Sequence, residues 1–333
     1  MNRKIIIGIL VAIIITGLGV GSYFWFFQPK KYTGQVEKIT LAAYTGEAGA
    51  MVYIADDQGF FEEYGLEVTI KDFESGKACA DAIIADEADV STSAGFAFVS
   101  YSFEHSNLKI FGTVATAEVK ELVARKDKGI TTIEDLLGKK VGVTKKSGAE
   151  FLFGRFLTLN NFTLQDVEIV DLKPLEIVES ILNGDIDASF TWDPYSYDIK
   201  KELGDNAISW PGGEDFYFVL ITKEDWLVNN SVAAERLIKS LLATEEYVKD
   251  HSSEAKDFVT DRFEYESDYI EYSWPKQEFN VILSQAMLIT FDAQARWKIE
   301  NNLTNATEIP NYLEYIYLDA LKDVKPEAVT IID

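Results

Sequence analysis

From Lys38 onward the chain alternates short apolar runs with amphipathic stretches. Ile39–Ala43 reads as a strand, and Gly49–Gln58 as a helix with Met51, Ile54 and Ala55 at helical spacing. The strand Glu67–Asp72 leads to a helix at Lys77–Asp86, with Ser75 placed to cap its first turn. Ala88–Thr92 is the next strand, Gly95–Phe103 a helix, and "LKIFGTVAT" a fourth strand. Such alternation predicts a mostly parallel α/β sheet. A second series begins with the strand "ELVARKD" and a short helix in "TTIEDLLGKK", where Thr132 and Asp135 form a loose capping box. It continues with "KVGVT", a helix at Ala149–Asn160, "DVEIVDL", a helix at Leu175–Leu182 and "IDASFTW". A further helix starts in "DPYSYDIKKEL", with Asp193 as its cap and Pro194 in its first position. After the strand "FYFVLIT" the pattern becomes nearly continuous helix over 231–320. The expected organisation is a membrane anchor at 1–31, a linker at 32–37, a discontinuous first unit at 38–119 and 225–333, and a second unit at 120–224.

The anchor rests on the uncharged run Ile5–Phe27. At about 1.5 Å per residue it would span about 35 Å, enough for a bilayer core. Arg3 and Lys4 precede it, and Tyr23 and Trp25 lie near its far end. The rival reading is a cleaved signal peptide, with Gly19-Val20-Gly21 as the small-residue site. No cysteine follows the run, which argues against a lipoprotein anchor. The expectation is a single-pass protein of the cell membrane with its large domain on the extracytoplasmic side. Four Asn-x-Ser/Thr sequons, at Asn161, Asn229, Asn302 and Asn305, lean the same way.

Composition narrows the function. The chain is 47% apolar and 13% aromatic, as a globular protein is. Its formal net charge of −24 disfavours nucleic acid and anionic lipid headgroups as partners. Cys79 stands alone and reads as a small buried apolar residue. The two histidines, His105 and His251, have neither HxH nor HxxxH spacing, so no metal or other cofactor is expected.

In open α/β sheets the ligand crevice lies beyond the carboxyl ends of the strands. Those ends are "AYTGEAGA", "VSTSAGF", "VTKKSGA" and "FTWDPY", sharing Gly, Ser, Thr, an aromatic residue and helix N-termini with free backbone N–H groups. The candidate ligand-binding residues are therefore Tyr44, Thr45 and Gly46; Ser93, Ala94 and Gly95; Thr116 at the end of the fourth strand; Ser147 and Gly148; and Trp192 and Asp193. Each has a plainer reading, Ser93, Ser147 and Asp193 as caps and Trp192 as core, and it is the four ends together that favour binding. Glu47, Glu118, Glu150 and Asp193 outnumber Lys145, Lys146 and Arg155 near these ends, which favours a zwitterion or cation.

Several stretches resemble a known family. "AMVYIADDQGFFEEYGLEVTI", "EADVSTSAG", "GITTIEDLLGKKVGVTKKSG", "LNGDIDASFTWDPY" and the closing "YLEYIYLDAL" with "VKPEAVTI" are similar to motifs of solute-binding proteins of ABC importers. The group is the one handling alkanesulfonates, taurine and thiamine pyrimidine precursors, and the resemblance covers about 38–332. It implies a type II periplasmic-binding fold: two α/β lobes, two crossover strands and a cleft that closes on a small polar ligand. It implies a monomeric, non-enzymatic receptor whose partners are that ligand, a permease and its ATPase subunit. The ligand would pack against Tyr44 or Trp192 and take hydrogen bonds from Thr45, Ser93 and Ser147. The cysteine- and histidine-rich motif of pyrimidine-precursor synthases is absent, and so is the GxxxxGK[ST] that an ATPase needs. Two other readings stand beside transport: an enzyme using Glu47 and Asp193 as an acid–base pair, and a surface sensory or adhesion module.

Overall fold

The computed structural model describes residues 32–118, 120–145, 147–213 and 216–332. The expected anchor at 1–31 lies outside the described residues, as does Lys146. Among the described residues no helix is long and apolar enough to cross a membrane.

The strands are β1 (Glu37–Tyr44), β2 (Leu66–Phe73), β3 (Val90–Ala94), β4 (Leu108–Ala117), β5 (Lys120–Arg125), β6 (Lys140–Val143), β7 (Glu168–Asp171), β8 (Ala188–Trp192), β9 (Ala207–Pro211), β10 (Phe216–Lys223) and β11 (Gln277–Glu278). They form two sheets: six strands in the order β11-β4-β10-β3-β1-β2, and five in the order β7-β6-β8-β5-β9. The longer helices are α1 (Ala50–Asp57), α2 (Gly76–Ile84), α3 (Gly95–Ser102), α4 (Gly148–Leu159), α5 (Pro174–Asn183), α6 (Tyr195–Leu203), α7 (Glu224–Asn229), α8 (Ser231–Asp250), α9 (Ser252–Phe263), α10 (Ser267–Ser273) and α11 (Gln285–Glu300).

The parallel pairs are β1 with β2 and β3, and β6 with β7 and β8. The rest departs from the mostly parallel expectation. β5 runs antiparallel to β8 and β9, and β10 runs antiparallel to both β3 and β4, with Leu220 opposite Thr92 on one side and Gly112 on the other. The strand β10 thus wedges between two strands that the local pattern would have made neighbours. It also belongs to the first sheet, although the expected boundary at 224 assigned it to the second unit. The reason is visible in its residues: all but the last are buried, so the strand is a continuous apolar run that fits the middle of either sheet.

Local signals held at several ends. Ser75 accepts the Ala78 N–H at 3.1 Å and caps α2. Asp135 accepts the Thr132 N–H at 2.9 Å, although the turn it closes, Ile133–Leu136, is 3-10 and not α. Asp193 does not cap a helix; its carboxylate accepts from the Ser196 hydroxyl and from Lys276. The helical tail is interrupted after Ser273 by Trp274–Lys276 and β11, and 301–311 contains no helix. The segment just before that interruption lies against the second unit: Lys201 pairs with Glu266 and Asp268, and Lys200 reaches Tyr272.

Candidate functional site

The chain turns sharply where β1 ends. A Cβ on Gly49 would stand 2.0 Å from the Tyr44 carbonyl oxygen, so only glycine lets the backbone fold back this tightly. The Tyr44 N–H donates to Thr92 Oγ1 at 3.0 Å, which sets the first two strand ends side by side. The Tyr44 ring stacks on Phe218 with centroids 5.4 Å apart, and Phe218 meets Phe216 edge to face at 5.6 Å. Phe216 and Phe218 are two residues apart in β10 and so share a face. The third strand end joins here: a Cβ on Gly148 would lie 2.6 Å from the Phe216 ring and 3.5 Å from Phe96 Cβ. Three of the four expected ends, Tyr44-Thr45-Gly46, Ser93-Ala94-Gly95 and Ser147-Gly148, therefore converge on one aromatic wall. In the fourth, Trp192 pairs in register with Lys120 and meets Tyr195 edge-on at 6.0 Å. Thr116 stands apart, with its hydroxyl 3.5 Å from Asn280 Oδ1.

The hydroxyls at these ends are engaged within the chain. Thr45 Oγ1 donates to the Phe73 carbonyl at 3.1 Å, and Ser93 shares a 2.8 Å hydrogen bond with Ser91. Ser147 donates to the Thr144 carbonyl at 2.6 Å and accepts from the Ala149 N–H at 3.1 Å, capping α4. What these ends present is backbone and ring surface.

The charged groups divide into two sets. Glu47 is buried and accepts hydrogen bonds from the phenols of Tyr269 and Tyr265. Burial raises its carboxyl above the usual range, and the Tyr269 bond works against that rise. Asp193 is buried, bonded to Ser196 and to Lys276 Nζ at 2.8 Å; burial raises its carboxyl too, opposed chiefly by the Lys276 charge. Lys276 also approaches Glu121 Oε1 at 3.8 Å, and Glu121 accepts from Lys200 and from Tyr272. The burial cost is outweighed there, and the Glu121 carboxyl sits below its ordinary value because of the Lys200 and Tyr272 bonds.

The second set is cationic. Lys120 is buried, and its Nζ stands 3.3 Å from the centroid of the Phe216 ring. Lys298 in α11 is buried, and its Nζ stands 3.8 Å from the centroid of Phe96. Burial pulls Lys120 down to about 7 and Lys298 down to about 8, with Glu150 resisting the second shift. Among the described residues neither ammonium is hydrogen-bonded or ion-paired to a carboxylate; each faces a ring. Of the expected acids, Glu47 and Asp193 are tied up by phenols, a hydroxyl and Lys276 and Glu150 acts on Lys298, while beside the aromatic wall Lys120 and Lys298 add a positive charge that the sequence reading did not count.

Sequence reasoning missed Phe216, Phe96, Lys120 and Lys298. Lys120 opens β5 beside the equally buried Glu121, and nothing in "KELVAR" marks which of the two charges faces a ring. Lys298 sits in an ordinary polar helix pattern, "ARWKIE", and nothing local marks it. Among the described residues no group of His, Cys, Asp and Glu could hold a metal ion. A surface hollow of about 400 Å³ lies elsewhere, between α1, β2 and α9, lined by Tyr53, Asp72, Phe258 and Arg262 among others.

Comparison with known proteins places this geometry in context. The family model described as NMT1/THI5 like matches residues 48–255. A putative binding protein of Brucella abortus (strain 2308) is 24% identical over 200 residues, covering 58% of this chain and 61% of that protein's own length. The putative aliphatic sulfonates-binding protein of Bacillus subtilis (strain 168) is 26% identical over 267 residues, 74% of this chain and 77% of that one. The crystal structure of the periplasmic aliphatic sulphonate binding protein SsuA from Escherichia coli superposes with a TM-score of 0.74 at 15% identity, covering 84% of this chain and 92% of the other, and it establishes the α/β periplasmic-binding-protein-like fold.

Proposed function

We propose, from the premise that the chain belongs to the NMT1/THI5-like family, that it is the solute-binding protein of an ABC importer and that its ligand is a small organic anion. The relatives named for sulfonate binding support the class. The single observation that carries the anion is the pair of buried lysines, Lys120 and Lys298, set over Phe216 and Phe96 where the two units meet. Burying an ammonium without a hydrogen-bonding partner is costly, and a bound anion would relieve that cost twice. The aromatic wall of Tyr44, Phe218 and Phe216 suits the apolar body of such a ligand, and the backbone at Gly148, the first turn of α4, offers N–H groups. Within the expected classes this favours an alkanesulfonate or taurine over an uncharged pyrimidine precursor.

Function then follows from two packed units between which the chain passes from β4 to β5 and from β9 to β10. Ligand entering between the units stabilises the closed arrangement by its differential affinity for it. The closed form docks on a permease, and a separate ATPase subunit supplies the energy. The uncharged run Ile5–Phe27 supports an anchor that keeps the receptor on the extracytoplasmic face of the cell membrane.

The test is thermal unfolding of residues 32–333 against alkanesulfonates, taurine, nitrate, pyrimidines, riboflavin and amines. A ligand with Kd of about 1 μM at about 1 mM adds roughly 4 kcal/mol, a shift of several degrees. A sulfonate hit that disappears in Lys120→Met is the expected outcome. Hits confined to amines would overturn the anion assignment, and turnover of the bound compound would replace transport with catalysis.

A further inference from the structure

Four sequons remain that binding does not use. Two of them share a local design: "NNFT" follows α4 and "NNLT" follows α11. In each, the first Asn is the C-cap and the second, Asn161 or Asn302, takes the left-handed conformation with φ of 63° or 55°. The helix ends close in the same way, with Phe162 N–H donating to the Leu157 carbonyl at 2.8 Å and Leu303 N–H to the Lys298 carbonyl at 2.9 Å. The two helices neighbour one another, since a Cβ on Gly154 would lie 3.3 Å from Trp297 Nε1. Asn161 and Asn302 are exposed, and so is Asn305, three residues beyond Asn302 in the same irregular stretch. Among the described residues none of the three side-chain amides is hydrogen-bonded.

Asn229 is exposed as well, but it differs in its backbone setting and in its bonding. It is the last residue of α7, its Nδ2 donates to the Asp225 carbonyl at 2.8 Å, and its hydroxyl partner Ser231 opens the twenty-residue helix α8. An acceptor sequon must present a free amide on a segment that can extend, and this one is held by helices on both sides. A plainer reading exists for Asn161 and Asn302, because asparagine is a common left-handed helix stop. The threonines have local roles too, since Thr163 N–H and Oγ1 donate to Asp166 Oδ2 at 2.7 and 2.8 Å to cap the turn Leu164–Asp166 and Thr304 Oγ1 accepts from the Ala306 N–H at 3.2 Å, but these readings do not account for the exposed, unbonded amides or for the third sequon at Asn305.

We propose that Asn161, Asn302 and Asn305 are N-glycosylated and that Asn229 is not. In the transfer, the Asn Nδ2 forms a bond to the anomeric carbon of a lipid-linked oligosaccharide. The bond from that carbon to the lipid phosphate breaks, the phosphate leaves with the electron pair, and the amide loses one proton. The donor and the transferase are membrane components of the producing cell. The inference rests on the extracytoplasmic placement in the proposed function, but not on the identity of the ligand.

The experiment is glycopeptide mass spectrometry of the full chain purified from the cells that make it. Labelling of intact cells with a membrane-impermeant amine reagent is run alongside. The expected result is sugar on at least two of the three asparagines and none on Asn229, with each Asn→Gln variant losing one glycan and keeping the ligand-induced thermal shift. Bare asparagine at two or more of the three, or sugar on Asn229, overturns the proposal. If the reagent labels the chain and the sugars are missing, this inference falls alone; if neither is seen, the extracytoplasmic placement falls with it.

Discussion

Two buried charged regions of this molecule look alike in composition and differ in how their charges are answered. Around Glu47, Asp193 and Glu121, each carboxylate accepts from a phenol, a hydroxyl or a lysine, and the partners come from the tail segment at Tyr265–Lys276 as well as from the second unit. Around Lys120 and Lys298, the ammonium groups meet ring faces. A buried charge with a full set of partners holds structure together, and breaking it strands the survivor. A buried charge with unspent hydrogen-bonding capacity is a standing cost that a ligand can remove. The first region therefore reads as the join between the two units and the tail, and the second as the place where a solute belongs.

The largest effect that would break this comparison is on the carboxylate side. Asp193→Ala takes from Lys276 its nearer carboxylate, itself 2% exposed, leaving Glu121 at 3.8 Å and the Tyr272 phenol, and should cost about 3 kcal/mol in denaturant unfolding. A loss under 1 kcal/mol would mean the pair is not the join described here. Next in size is the lysine side. Lys120→Met should leave stability unchanged or raised, because it removes an unanswered charge, while anion affinity measured by calorimetry falls at least tenfold, or about 1.4 kcal/mol. A destabilised Lys120→Met with unchanged affinity would place Lys120 with the structural set.

The pH dependence sharpens the same contrast. The folded-state pKa of Lys120, about 7, lies below the 10.5 of an exposed lysine. The unfolded chain thus holds more protons between those values, and stability contributed by this group rises with pH across about 7 to 10.5. Below pH 7 its full burial cost is felt. Anion affinity should run the other way, falling as pH rises through about 7 and 8 while Lys120 and Lys298 lose their protons. Denaturation and calorimetry repeated from pH 6 to 10 would show both slopes, and Lys120→Met should flatten the larger part of each.

Smaller changes probe the walls. Gly148→Ala pushes a methyl into the Phe216 ring at 2.6 Å and should cost about 1 kcal/mol in stability, with a larger loss in affinity, because the ring it displaces lies under Lys120. Ser75→Ala removes the α2 cap and should cost about 1 kcal/mol with ligand affinity intact, since that cap touches neither region. An affinity change in Ser75→Ala would show that the ligand response reports global stability and not the site.

Much of the element pattern was legible along the chain because it follows from short-range physics. Period-two and helical spacing marked most strands and helices, and Ser75 announced its cap. The strand ends that would converge were legible for the same reason: a parallel βα unit brings its carboxyl ends to one edge. What was not legible were the residues that a distant strand brings in. The fully buried β10 carries Phe216 and Phe218 to the centre of the first sheet, and its sequence has no mark of which strands it will lie between.

By itself, then, the amino-acid order determined the alternating α/β character, the two-series organisation and the three glycine-bearing strand ends with the fourth at Trp192-Asp193, since each depends on neighbours within one turn or one strand. The tertiary structure decided the rest. It turned the hydroxyls of Thr45, Ser93 and Ser147 inward, answered Glu47 and Asp193 with residues more than eighty positions away, and left Lys120 and Lys298 over aromatic rings. The reason is that charge is a property of a residue, but whether a buried charge is satisfied depends on which distant groups the packing sets beside it.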